Sequence, residues 1–91
     1  MKVRFLGRVF DLIVTNHARQ SLATTKISQV QMKQTILTGV VKRKTAENKF
    51  WIYKRFKNRE DNMICLSVAT EGEYLIVVTA LVNWRPHEDD L

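Results

Sequence analysis

The chain has 91 residues, enough for one small domain and too few for two. Its 45% apolar content suits a folded protein, and its one cysteine excludes an internal disulfide and a thiolate zinc site. The net charge of +6 is unevenly spread: residues 1–59 hold fourteen Lys/Arg against only Asp11 and Glu47, whereas residues 60–91 hold Arg85 alone against seven carboxylates. A basic segment of this kind favours a polyanion, because each neutralised phosphate releases counterions. An acidic protein surface would suit it as well. No apolar run approaches a membrane span and no stretch has the length of a signal-peptide core, which points to a cytoplasmic protein with no membrane partner.

Val3 to Leu6 and Val9 to Val14 are apolar runs separated by Gly7-Arg8, the pattern of a short hairpin or one bent strand. Thr15-Asn16 supply N-cap candidates for a short helix from His17 to about Ala23, with Thr24-Thr25-Lys26 as a break. Ser28 and Gln31 form a capping box for a second helix, with Ile27 and Met32 placed as a hydrophobic staple. Val30, Ile36 and Leu37 extend its apolar face, Ile36 and Leu37 being expected in the core. Gly39 has the position of a left-handed C′ residue. Helices this short need a surface to pack on.

Strands follow: Val40 to Lys44, then Phe50 to Lys57, then Met63 to Thr70, with Ile64, Leu66 and Val68 inward and Met63, Cys65 and Ser67 opposite. Glu71-Gly72-Glu73 turns the chain into Tyr74 to Val82, apolar on both faces and therefore central. Asn83 to Pro86 end it, and 87–91 form an acidic tail. The expected architecture is a single α+β domain over 1–86. Two short helices pack on one face of a mostly antiparallel, twisted sheet of four to six strands.

The stretch from Phe50 to Lys57 carries the most chemistry. Alternation puts Phe50, Ile52, Lys54 and Phe56 on one face and Trp51, Tyr53, Arg55 and Lys57 on the other. Two rings followed by two cations suit stacking on bases and pairing with phosphates. With Lys42, Arg43, Lys44 and Arg59 nearby, this defines the expected nucleic-acid footprint. The alternative is that Trp51 and Tyr53 are ordinary core aromatics and the cations solvate the end of the strand.

Thr15-Asn16-His17-Ala18-Arg19, then Ile27-Ser28 opening a helix closed by Gly39, resembles a family of small bacterial and phage-associated domains with a His-Ala-Arg helix start. The aromatic-basic strand and Val77-Val78-Thr79-Ala80 extend the resemblance over roughly residues 12–85. That family is related to the BrnT-type toxins of the RelE/ParE superfamily. The resemblance implies a strand, two helices and three strands. It also implies an RNA-binding toxin-type endoribonuclease of a toxin-antitoxin system, held by an acidic antitoxin.

Metal-independent RNA cleavage needs a base for the 2′-hydroxyl, an acid for the leaving oxygen and cations facing the phosphorane. His17, His87 and Tyr53 are the candidate proton-transfer groups, His17 foremost because histidine titrates near neutrality, and Arg19, Arg55, Arg59 and Arg85 the charge stabilisers. On a helix Arg19 points about 200° away from His17, so the two need not share a site. His87 beside Glu88-Asp89-Asp90 has no second clustered histidine to make a metal site, and Cys65 reads as a small core residue. No phosphate loop or dinucleotide fingerprint occurs, so no cofactor is expected. The competing reading is a non-catalytic nucleic-acid-binding or protein-interaction module on the same fold.

Overall fold

The computed structural model describes residues 1–57 and 63–82. The element order is β1 (Lys2–Phe5), β2 (Arg8–Val14), α1 (Asn16–Thr25), α2 (Gln29–Thr38), β3 (Val40–Arg43), β4 (Lys49–Arg55), β5 (Met63–Glu71) and β6 (Tyr74–Leu81). One six-stranded sheet runs β1-β2-β6-β5-β4-β3. Every neighbouring pair is antiparallel except β2 with β6, which run parallel. This is the expected α+β architecture, with one more strand on each side of the helix pair than the family resemblance implied. As its double-sided apolar sequence suggested, β6 lies inside the sheet.

The sheet is strongly curled. In a flat sheet β1 and β4, four places apart, would stand about 19 Å from each other at the usual strand spacing. Yet the Phe5 and Phe50 rings meet edge to face at 5.4 Å between centroids. The concave side holds Phe5, Phe10, Phe50, Ile52, Ile64, Leu66, Val68, Leu75 and Val77, all buried in one cluster. Both helices feed that cluster, through Ala18 of α1 and through Met32 and Ile36 of α2, with Ile27 between them. Helix α2 spans the mouth of the curl, touching β1 on one side and β4 and β5 on the other.

Chain entry is a hairpin, turning at Leu6-Gly7, one residue earlier than the glycine alone suggests. Both residues have positive φ (50° and 76°), as a two-residue turn matched to strand twist requires. Thr15 caps α1: its Oγ1 accepts from the Ala18 N–H at 3.1 Å and donates to the Val78 carbonyl at 3.2 Å. The helix continues past Ala23 to Thr25, whose hydroxyl donates to the Ser21 carbonyl, and Lys26 closes it in the left-handed region. Helix α1 runs beside the part of β6 that extends beyond the last β2 partner, Val14↔Val77.

In α2 the capping box forms as expected, both bonds at 3.1 Å. Two expectations there are corrected. Leu37 and Val30 are exposed, and the buried set is Met32, Thr35 and Ile36. At about 100° per residue, Val30 and Leu37 lie roughly 140–160° round the helix from Met32, so a helix touching the sheet along one narrow stripe cannot bury both sets. Gly39 is not left-handed but extended, with φ −72° and ψ 169°. Glycine is required by proximity instead: a Cβ would fall on the Thr35 carbonyl oxygen and 2.9 Å from that of Tyr53.

Candidate nucleic-acid interface

Register assembles the site. Trp51 and Tyr53 of β4 face away from the Phe50-Ile52 core side. Lys42 pairs across from Trp51 on β3, and Ser67 pairs across from it on β5. Val40 and Cys65 flank Tyr53 in the same way, and Met63 stands opposite Arg55. Lys44, one step past β3, keeps the pairing through its N–H to the Lys49 carbonyl at 2.9 Å and so returns to the face of Lys42. Helix α1 packs on β6 and α2 on the concave side, so neither covers the outer face of β3 to β5.

The expected footprint is therefore largely on one surface. Lys42, Lys44, Trp51, Tyr53 and Arg55 share it, and Lys57 is exposed just beyond the end of β4. Arg43 departs from it, as its register opposite Phe50 demands, and lays its guanidinium 5.6 Å from that ring's centroid. It still borders the same strand edge. There, Lys42, Arg43, Lys44, Thr45 and Trp51 line a cleft of about 480 Å³. Arg59 lies outside the described residues, as do Arg85, His87 and the tail.

Trp51 fits neither sequence-based alternative. It is half-buried, and the Lys44 ammonium sits 3.8 Å from its ring centroid while donating to Ser67 Oγ. Burial pulls the Lys44 pKa below its ordinary value, with nearby Cys65 opposing the shift and the Lys49 charge adding to it. Lys42 Nζ is also buried on this face. Cys65 and Ser67, expected opposite the core, are themselves buried, at 0% and 5% exposure. Burial pushes the Cys65 thiol up to about 12, which makes it a poor nucleophile and leaves it the packing role the sequence suggested.

The catalytic candidates do not converge. His17 and Arg19 are exposed on α1, beside β6, and Arg19 Nε reaches the Val14 carbonyl at 3.5 Å. Tyr53 and Arg55 are on β4, with β5 between that strand and β6. Ser67 was missed from the sequence as a partner of Lys44. Twenty-three residues separate them, and only the β3-β4-β5 register brings them together. Among the described residues no cluster of His, Cys, Asp and Glu could hold a metal ion. No described helix is long and apolar enough to cross a membrane.

No family model, curated protein or solved structure matches the chain.

Proposed function

We propose that this domain binds single-stranded RNA on the outer face of β3 and β4. The observation that carries the reading is the convergence of Lys42, Lys44, Trp51, Tyr53 and Arg55 on a face that neither α1 nor α2 covers, beside a cleft whose described lining contains cations and no carboxylate. Cations supply phosphate contacts and counterion release, while aromatic rings supply sequence-tolerant stacking. A binding module is favoured over the toxin-type endoribonuclease of the resemblance, because His17 and Arg19 stand on a different element from Tyr53 and Arg55.

Fluorescence anisotropy with a labelled single-stranded RNA tests the reading, alongside a duplex of the same length. Saturable binding that weakens steeply with salt and favours the single strand is expected. Absence of saturable binding at low salt would overturn it. The same RNA incubated with the protein in EDTA should stay intact. Cutting that Arg85→Ala abolishes would return the domain to the ribonuclease class.

A further inference from the structure

We infer that the cleft between β3 and β4 is a nucleotide subsite, taking one unpaired base together with its adjoining phosphate, and that Lys44 makes these two contacts depend on each other. The inference rests on the RNA reading above and names the unit that the face recognises.

The cleft has the size and walls for it. Its volume of about 480 Å³ falls within the range of roughly 300–1,000 Å³ usual for small-ligand sites. Trp51 provides a flat wall, Thr45 a hydroxyl, and Lys42, Arg43 and Lys44 the positive charge. Among the described residues that line it, none is Asp or Glu.

The position of Lys44 sets the order of events. Its ammonium lies on the Trp51 ring, on a surface a base would need for stacking. Both groups that hold it, the indole face and the Ser67 hydroxyl, are uncharged. A phosphate offers what they lack, a full negative charge with several acceptors, and forms a stronger charge-assisted bond. The flexible four-carbon stem lets Nζ leave the ring for a phosphate at the cleft mouth. A base alone must displace the ammonium with no compensation. Phosphate alone draws the ammonium away but leaves the ring bare. A nucleotide does both at once, so base and phosphate bind cooperatively. Duplexes, whose bases are stacked inside, cannot use the subsite.

The test uses the full chain carrying Trp84→Phe, which leaves Trp51 as the only tryptophan. Quenching of its fluorescence is followed with adenosine, inorganic phosphate, adenosine monophosphate and a six-nucleotide oligoadenylate. Adenosine monophosphate should quench at concentrations at least about 10-fold below those of adenosine, the size of one charge-assisted hydrogen bond. The oligonucleotide should bind more tightly still. With Lys44→Met the ring is uncovered, so adenosine should bind better than it does to the parent chain while the phosphate advantage shrinks. Lys44→Arg keeps a phosphate partner and should keep the advantage. It also serves as the second variant if Lys44→Met fails to fold. Equal quenching by adenosine and its monophosphate in the parent chain would overturn the inference, as would proportionate loss of both in Lys44→Met. If the oligonucleotide binds with strong salt dependence under either of those outcomes, the RNA reading stands and only the coupling falls. If no ligand binds, both fall.

Discussion

At the scale of single residues, three positions show how one side chain, or its absence, fixes the path of the chain. The Thr15 hydroxyl is used twice, as helix cap and as a bond to Val78, while its N–H reaches the Val77 carbonyl. It therefore ties the end of β2, the start of α1 and the irregular part of β6, where one residue is extra relative to β5 at Ser67/Val68. Thr15→Val keeps the shape and loses the hydroxyl, so it should cost about 1–2 kcal/mol in chemical denaturation, whereas Thr15→Ser should cost little. Gly39 is constrained by space. Its backbone is extended and unstrained, but a methyl there meets two carbonyl oxygens. Gly39→Ala should destabilise by about 1–3 kcal/mol, the usual range for overpacking, and a neutral result in chemical denaturation would show that the end of α2 can shift away from both carbonyls. Leu6 shows the opposite case. It is 55% exposed with φ of 50°, kept left-handed by the geometry of the turn at a steric cost its side chain does not recover.

Among the elements, α2 is held at its ends by caps and in its middle by a narrow buried stripe. Ile36→Ala should cost about 2–5 kcal/mol because it opens the core. Leu37→Gln, one residue away but exposed, should stay within about 0.5 kcal/mol. Thermal melts of the two variants check the helix's rotation directly. Strand β3 is an edge, and its Lys42-Arg43 pair is the kind of charge that discourages pairing with another chain. On β5, the two buried small residues Cys65 and Ser67 lie on the side that helices do not reach. Because folding raises the Cys65 pKa from 9.0 to about 12, the folded chain holds its proton where the unfolded chain has lost it. Its contribution is complete below pH 9 and is lost as pH climbs from 9 toward 12. Lys44 acts in the opposite sense, since a lowered amine pKa means its buried charge becomes less costly as pH rises. Denaturation midpoints at pH 8 and above 10 should therefore show an alkaline loss that Cys65→Ser reduces. A loss of the same size in both proteins would deny burial of the thiol.

At the scale of the molecule, the curled sheet divides labour between its sides. The concave side, closed by α2, takes the buried apolar cluster, while Val9, Ile13, Val40 and Val78 of the strands stay exposed. The outer side of β3 to β5 carries aromatic and basic groups beside Val40, Met63, Cys65 and Ser67. If the outer side follows an RNA strand, Arg55 and Lys57 should each contribute about 0.7 to the log–log salt slope of single-stranded binding. Replacing both with alanine should flatten it by about 1.4. An unchanged slope would move the footprint toward Lys2, Arg4 and Lys33, which border a second cleft of about 210 Å³ between β1 and α2.

Local physics made the elements readable. A capping box, alternation through Ile64, Leu66 and Val68, and an uninterrupted apolar strand each act over a few residues and formed where the sequence put them, and the hairpin glycine fell within one residue of its expected turn. The two faces of β4 were equally legible, because alternation needs no partner. What required tertiary structure was everything decided by contact between distant segments. Which stripe of α2 is buried depends on where the curled sheet meets it. The need for glycine at 39 comes partly from a carbonyl on β4, which adds to the local one of Thr35. The state of Trp51, neither core nor bare platform, is set by a lysine just past β3 held by a serine from β5. No local pattern in the sequence encodes that contact, since it exists only once three strands have found their register.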